Sequence, residues 1–291
     1  MLLRPFLMKK FISGICILGL CLSLAACSAA ETAEASLISE PETTVFETTI
    51  ATTETSATEE TTTATTTEEE TEPLPEPENI SPEWVRALPE ANDESVTQML
   101  IVAGDGMDKE TCTVSMHERD ENGFWVEILS TPGYVGWNGL ILDEERYEGC
   151  GKTPIGRYYF TMAFGISPDP GCAIPYVQLT DDLYWSSDMG EGMHYNEMVS
   201  IDDYPDLDTD RSEHLIDHDL AYQYCLNISF NVEGTLMRGS AIFLHCNGVH
   251  NYTYGCVSVP EDKMVEILQN VDPDCVVIID TAETLGVTEG E

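Results

Sequence analysis

Basic residues are scarce in this chain of 291 residues, which has 12 Lys and Arg against 53 Asp and Glu. The formal net charge at pH 7 is −41. Nucleic acids are held mainly by Lys and Arg contacts to phosphates, so a chain with so few cations is not expected to bind DNA or RNA. The simplest consequence of this acidity is solubility.

The sequence also lacks a hydrophobic run long enough to cross a membrane. Its apolar stretch over residues 11–22 follows three basic residues and is shorter than the roughly 20 residues of a spanning helix. This order of charge and apolar residues is typical of a secretion signal. The stretch leads into Leu24-Ala25-Ala26-Cys27, the pattern of a bacterial lipoprotein signal. We predict a signal segment over 1–27, cleaved before Cys27, and lipidation of the Cys27 thiol; an ordinary signal peptide is the alternative.

Both interpretations take the mature protein out of the cytoplasm. Lipidation at Cys27 predicts a protein anchored to the outer face of the cell membrane, facing the cell wall. The membrane is then a partner through the lipid anchor. Nothing in the sequence predicts an oligomeric state.

Large apolar side chains are rare over residues 28–80, a segment dominated by Thr and Glu with no Lys or Arg. Such a composition buries too little apolar surface to offset the entropy of ordering, so we predict a disordered linker. A flexible tether of about 50 residues has a root-mean-square reach of roughly 40 Å, and repulsion between like charges extends it.

Residues 81–291 are long enough for one domain with a substantial core. Short runs rich in β-branched and aromatic residues predict strands. These runs are 96–103, 111–116, 124–129, 156–160, 223–230, 241–244, 257–259 and 275–279. Pro260 and the two acids after it predict a helix over 260–270. The expected fold class is mainly β, a sandwich with one or few short helices and long loops, with its core over about 97–280.

An acidic stretch over residues 167–218 contains aromatic pairs and turn residues and is harder to interpret. One interpretation is a lid over a substrate cleft, and the other is an elaboration of the surface. Residues 283–291 have the composition of a frayed acidic tail.

Residues 241–259 contain the strongest chemical signal in the chain. His245 ends an apolar run, and Thr253-Tyr254-Gly255-Cys256 leads into the next one. A cysteine attacks only as the thiolate, so it needs a proton acceptor within reach. If the two strand ends lie side by side, His245 is that acceptor for Cys256. Gly255 permits a tight turn before the cysteine and exposes amide groups to an oxyanion.

This segment resembles the active-site signature of the L,D-transpeptidases (YkuD-type domains), in which a histidine is followed by Ser/Thr-x-Gly-Cys. Residues 151–156, Tyr195-Asn196 and residues 217–224 are similar to further parts of the family pattern, so that the resemblance covers roughly 97–280. Two positions depart from it. Tyr254 stands where the family often has histidine, and Ser258 stands where it often has arginine.

The resemblance implies a peptidoglycan L,D-transpeptidase that needs no metal or organic cofactor and takes stem peptides as its substrates. It implies that Cys256 forms a thioester with the donor peptide, which an amine of a neighbouring stem peptide then resolves. It further implies that His245 is the proton donor and acceptor, that the Gly255 amide stabilises the oxyanion, and that the Cys246 carbonyl orients the imidazole. The residues implied in substrate binding are Thr253, Tyr254, Tyr195 and Asn196.

Two other functions stay open. An L,D-carboxypeptidase has the same thioester chemistry, but water resolves the thioester. A wall-binding lipoprotein with a degenerate site is the other alternative, and the departures at Tyr254 and Ser258 favour it.

The individual residues also have simpler interpretations. Cys256 is then a buried, inert thiol, and His245 a hydrogen-bonded core residue. His250 is a rival base, because it lies in the same loop as Cys256. A zinc site formed by His245, Cys246, His250 and Cys256 is a further alternative, although Cys246 and His245 are adjacent and point to opposite faces of a strand.

The remaining cysteines of the folded part are even in number, and an extracellular location permits up to three disulfides. They are Cys112, Cys150, Cys172, Cys225, Cys246 and Cys275. Buried free thiols are the alternative.

Overall fold

The computed structural model describes residues 75–288. The signal segment predicted over 1–27, the lipidation site Cys27 and most of the predicted linker lie outside the described residues. Within the described range, no helix has the length and apolar character needed to span a membrane.

Strands dominate the described part of the chain, which confirms the mainly-β expectation. The strands are β1 (Gln98–Gly104), β2 (Thr111–Arg119), β3 (Trp125–Tyr134), β4 (Leu140–Leu142), β5 (Thr153–Gly165), β6 (Tyr176–Gln178), β7 (Leu183–Trp185), β8 (Met198–Ser200), β9 (Glu213–His214), β10 (Cys225–Ile228), β11 (Phe243–Cys246), β12 (Val257–Val259) and β13 (Val276–Thr281). The α-helices are α1 (Glu83–Arg86), α2 (Glu261–Asn270) and α3 (Ala282–Leu285). Short 3₁₀ turns occupy Glu90–Asn92, Asp143–Glu145, Leu215–Asp217 and Ala221–Gln223.

The main sheet closes on itself through its longest strand. Its order is β10-β11-β12-β3-β2-β1-β13-β5-β4, and β5 pairs a second time, with β10. The first half of β5 lies antiparallel to β13, and the second half lies antiparallel to β10. The two layers expected of a sandwich are therefore continuous and enclose the main core.

Alternation along the strands decides what each face covers. In β11, Leu244 and Cys246 point into the main core, whereas Phe243 belongs to a second cluster beneath the acidic stretch. Cys256, just before β12, belongs to the same second cluster as Phe243. The candidate nucleophile thus lies on the outer face of the closed sheet, under the long loops.

The folded part begins slightly before the predicted boundary at residue 81. The Asn79 carbonyl accepts from the Glu127 amide, and Ile80 forms a bridge with Val126 of β3. The hydroxyl of Ser81 lies 2.9 Å from Nδ1 of the buried His117. α1 and the turn after it then cover the outer face of β1, which is why β1 is buried on both faces.

Up to residue 288, the C-terminal segment differs from the frayed tail expected over 283–291, and residues 289–291 lie outside the described residues. α3 is capped at its start by the Thr281 side chain and at its end by Gly286 in a left-handed conformation. Leu285 is buried against the cluster that includes β1. Ala282 and Val287 pack against the same cluster, so apolar contacts and two caps together hold this short helix.

The acidic stretch over 167–218 contains more regular structure than its composition suggests. β7 pairs with both β8 and β9 in a small separate sheet. Trp185 of β7 is buried against Phe164 and Phe243, with ring centroids 6.2 and 4.7 Å away. Trp185, together with the buried Leu179 and Leu215, fixes the stretch on the outer face of β5 and β11.

All seven cysteines within the described residues have free thiols, six of them buried and Cys172 half-buried. The disulfides considered for this domain are therefore not present in the structure, and the free-thiol alternative describes it.

Candidate active site

The parallel pairing of β11 and β12 brings the candidate nucleophile and base together. His245 pairs with Ser258, and Leu244 with Val257. Cys256 lies two residues before Ser258, so it stands diagonally across from His245 on the same face. The Phe243 amide donates to Cys256 Sγ at 3.3 Å, which fixes the approach of the two strand ends.

The Cys256 thiol is held in a resting position. It is 8% exposed and donates to the Ala241 carbonyl at 3.1 Å. Burial, followed by the negative charge of Glu213, raises the pKa of Cys256 to about 12, although the Phe243 amide and Arg146 oppose that rise. A thiol with this pKa is neutral at physiological pH.

The His245 imidazole is oriented so that it can be that base. It is 7% exposed, and Nδ1 lies 2.7 Å from the Cys246 carbonyl. A carbonyl only accepts, so Nδ1 carries the hydrogen and Nε2 is left as a proton acceptor. Burial lowers the pKa of His245 to about 4, with the Cys246 hydrogen bond opposing that shift. The Cys246 carbonyl is thus the hydrogen-bond partner of the imidazole, and its catalytic role stays a prediction.

The turn before the nucleophile is held by Thr253. Its Oγ1 donates to the Cys256 carbonyl at 2.6 Å and accepts from the Gly255 amide at 3.1 Å. Gly255 has a φ of 141°, a conformation that side chains other than glycine rarely adopt. Thr253 lines the cavity wall but uses its hydroxyl within the turn. Because the Gly255 amide is engaged there, its role as an oxyanion donor stays a prediction.

Tyr195 and Asn196 lie behind the site and do not line its cavity. The Tyr195 hydroxyl donates to Glu148 at 2.6 Å. Asn196 Oδ1 accepts from the Ala241 amide at 2.9 Å, and its Nδ2 donates to the Phe230 carbonyl at 2.9 Å. Their polar atoms are satisfied within the protein, so direct substrate contact at these two positions remains a prediction without geometric support.

Tyr254 lines the cavity, and its contact with substrate stays a prediction. It is 73% exposed at the wall of the cavity, with its ring edge-on to Tyr252. His250 is exposed, and its ring stacks on the Tyr252 ring with the ring centroids 4.9 Å apart. His245 lies on the strand beside Cys256, whereas His250 lies in the loop between them.

The active-site cavity has a volume of about 680 Å³ and reaches both His245 and Cys256. One wall comes from the acidic stretch, through Ser187 and residues 211–213, and continues through 217–222. The acidic stretch therefore forms part of the cavity wall, and its role as a lid stays a prediction.

Three contributors to the site were not expected from the sequence. Arg146 lies in the cavity wall and lowers the pKa of Cys256. Glu213 accepts from the Tyr222 hydroxyl at 2.6 Å and lies 3.1 Å from Nε2 of His218. Ala241 holds the thiol through its carbonyl. These contacts join distant segments, and no local sequence pattern indicates them.

The zinc alternative is not supported by this arrangement. Cys246 packs in the main core, on the opposite face of β11 from His245, so the four proposed ligands do not converge. Among residues 75–288, no group of three or more His, Cys, Asp or Glu side chains is placed to hold a metal ion.

A family model for the L,D-transpeptidase catalytic domain, YkuD, matches residues 92–279. The chain belongs to this family. The match runs from the turn before β1 to Ile279 within β13, and it includes His245 and Cys256. A comparison with curated protein sequences finds no match.

Solved structures of L,D-transpeptidases are among those similar to this YkuD-family chain. L,D-transpeptidase 1 of Mycobacterium tuberculosis is 11% identical over 62% of this chain and 62% of its own, with a TM-score of 0.28. L,D-transpeptidase 3 of the same organism, in complex with a faropenem-derived adduct, is 15% identical over 63% and 60%, with a TM-score of 0.27.

The helical cell shape determining protein Pgp2 of Campylobacter jejuni is similar as well. It is 16% identical over 68% of this chain and 54% of its own, with a TM-score of 0.34. The chain therefore spans about half the length of Pgp2.

Proposed function

We propose that this protein is a peptidoglycan L,D-transpeptidase that acts outside the cytoplasm and is anchored to the membrane by lipid on Cys27. The observation that supports the chemistry most directly is the parallel pairing of β11 with β12. It brings the Cys256 thiol and the His245 imidazole to the same face, beside one cavity of about 680 Å³. Family membership supports stem peptides of peptidoglycan as the substrate class.

In the first half-reaction, the thiol turns from the Ala241 carbonyl toward His245. Nε2 takes the thiol proton as sulfur attacks the carbonyl of the third stem residue. The C–N bond to the terminal D-alanine breaks, and the imidazolium gives the proton to the departing amine. A thioester on Cys256 remains.

In the second half-reaction, an amine of a neighbouring stem peptide attacks the thioester carbonyl. His245 takes the proton of that amine, and the C–S bond breaks to release the cross-linked peptide. The imidazolium then returns its proton to the Cys256 sulfur, which restores the resting state. If water takes the place of the amine, the same steps make the protein an L,D-carboxypeptidase.

The oxyanion formed in both steps needs a backbone donor near Cys256. The amide of Cys256 itself has no hydrogen-bond partner among residues 75–288, whereas the Gly255 amide is engaged by Thr253. The Cys256 amide is therefore the first donor in our mechanism. The Gly255 amide joins it only when Thr253 releases it.

The nucleophile and base are tested by acylation with a carbapenem, which resembles the acyl donor. The intact mass of the protein after incubation is expected to show one adduct per chain. Cys256→Ala should abolish the adduct, and His245→Ala should slow its formation by roughly 10²- to 10⁴-fold, the usual effect of losing a general base. Cys172→Ala, which removes the most exposed of the other described thiols, is the matched control and should leave the adduct unchanged.

Absence of an adduct on folded wild-type protein would contradict this proposal and favour the wall-binding lipoprotein. Where the adduct forms, a stem tetrapeptide with and without an amine acceptor separates transfer from hydrolysis. A cross-linked product indicates the transpeptidase, and a tripeptide alone indicates the carboxypeptidase. Membrane anchoring is tested separately, because Cys27→Ser should release the protein from the membrane fraction.

A further inference from the structure

Arg146 is a buried arginine in the wall of the active-site cavity. It follows the 3₁₀ turn Asp143–Glu145 and is 6% exposed. Its Nε donates to the Lys152 carbonyl at 3.3 Å, and Nη1 donates to the Arg238 carbonyl at 3.2 Å. The guanidinium carbon lies 4.9 Å from the centre of the Phe230 ring. These contacts fix the plane of the guanidinium group.

No carboxylate in the described part of the chain forms an ion pair with this buried charge. Within residues 75–288, Arg146 has no Asp or Glu oxygen within 4.0 Å, whereas the neighbouring Arg238 is paired with Asp143. Burying a charge without a counter-ion is costly, and buried arginines are therefore usually paired. The absence is notable in a chain with 53 acids against 12 bases.

The side of the guanidinium without a hydrogen-bond partner lies beside Gly255, the residue before the nucleophile. Nη2 has no hydrogen-bond partner in the described part of the chain, and it lies 3.1 Å from the position that a Cβ on Gly255 would occupy. A Cβ on Gly239 would come within 1.4 Å of Nη1. Glycine at these two positions admits the guanidinium group next to Cys256.

We propose that Arg146 forms a carboxylate-binding site beside Cys256, and that its ligand is the terminal carboxylate of the acyl-donor peptide. The planar guanidinium group binds carboxylates through directed, charge-assisted hydrogen bonds. In a donor whose last residue is the leaving group, only one nitrogen and one α-carbon separate the scissile carbonyl from the terminal carboxylate. A cation next to the nucleophile is therefore at the right place for it. The identity of this peptide rests on the proposed function, but the carboxylate site does not.

The site is tested with two alkylating reagents that differ in one group. Iodoacetate carries a carboxylate next to the reacting carbon, and iodoacetamide carries a neutral amide there. Each forms a C–S bond with the Cys256 thiolate and releases iodide. The two rates are measured at Cys256 in the full chain by peptide mass mapping. Arg146→Gln is expected to lower the ratio of the iodoacetate rate to the iodoacetamide rate roughly tenfold, the usual size of a lost charge-assisted hydrogen bond.

Arg238→Gln is the matched control, because Arg238 contacts the same Phe230 ring but is paired with Asp143 and does not line the cavity. It should leave the ratio unchanged. Repulsion of iodoacetate by the acidic surface affects all variants alike and cancels in the comparison. An equal loss of both rates in Arg146→Gln would show that Arg146 acts only on the thiol and would overturn the proposal, as would an unchanged ratio.

A measurement on the wild-type protein covers the case in which Arg146→Gln does not fold. N-acetyl-D-alanine is expected to protect Cys256 from iodoacetamide, and N-acetyl-D-alaninamide is not. Equal protection by the two compounds, or none, would contradict a carboxylate site. A protein that shows this carboxylate preference but forms no carbapenem adduct would contradict the proposed function while supporting the site.

Discussion

The catalytic pair is stored in its neutral form. Burial raises the pKa of Cys256 to about 12 and lowers the pKa of His245 to about 4. Both shifts disfavour charge, so a resting thiolate–imidazolium pair is not expected between these values. The Ala241 carbonyl holds the thiol proton until substrate displaces it. In the proposed mechanism, His245 therefore acts as a general base during the attack rather than as a partner that ionises the thiol in advance.

The pH dependence of alkylation tests this resting state. For a thiol with a pKa of about 12, the thiolate fraction rises about tenfold per pH unit throughout the range below that value. The rate of iodoacetamide alkylation at Cys256 should therefore rise about tenfold per unit from pH 6 to pH 9. His245→Ala should keep the same slope, because the imidazole is neutral across this range. A rate that levels off below pH 8 would instead indicate a preformed thiolate–imidazolium pair.

At the scale of elements, the strands with apolar runs could be predicted from the sequence. The side-chain contacts that connect distant elements could not. All eight predicted strands are present, because β-branched and aromatic runs fit a buried sheet whatever their neighbours. β4 and β6 to β9 were not predicted. Each has two or three residues, and β6 to β9 lie within the acidic stretch, where tertiary contacts such as those of Trp185 hold them. The positions of His245 and Cys256 followed from their motif, whereas Arg146 has contacts that join residues 92 positions apart.

Asn196 makes contacts of this kind, since its side chain forms hydrogen bonds with three distant segments. Its side chain links Trp185 in β7, the Phe230 carbonyl after β10 and the Ala241 amide before β11. Asn196 has a φ of 66° and Ala241 has a φ of 54°, so both backbones adopt left-handed conformations. Asn196 therefore positions the carbonyl that holds the Cys256 thiol, although it does not line the cavity.

Asn196→Ala is expected to lower the free energy of unfolding by roughly 2–4 kcal/mol, because it leaves several buried donors and acceptors without partners. Urea unfolding measures this change. The rate of carbapenem acylation should also fall, since the Ala241 carbonyl loses its support. Asn122→Ala in the exposed turn before β3 is the control and should change neither quantity. Unchanged stability with weaker binding of the donor peptide would instead favour the direct substrate contact predicted from the sequence.

At the scale of the whole molecule, repulsion between the many carboxylates destabilises the folded state. Residues 81–291 hold 39 acids and nine Lys and Arg, so most carboxylates have no Lys or Arg with which to pair. The closed sheet offsets this repulsion with a core covered on both faces of β1. A buried cation without a carboxylate partner, as at Arg146, is all the more unusual against this background.

The stability of the protein should therefore increase with salt. Repulsion between exposed charges is screened over about 10 Å at 0.1 M ionic strength, and the few surface ion pairs contribute little on their own. The midpoint of thermal unfolding is expected to rise by several degrees, on the order of 1 kcal/mol, between low salt and about 0.5 M NaCl. Glu121→Lys, at an exposed position in the turn before β3, should raise the midpoint at low salt and lose that advantage at high salt. A midpoint that falls as salt is added would contradict this prediction. It would mean that attraction within ion pairs outweighs the repulsion between carboxylates.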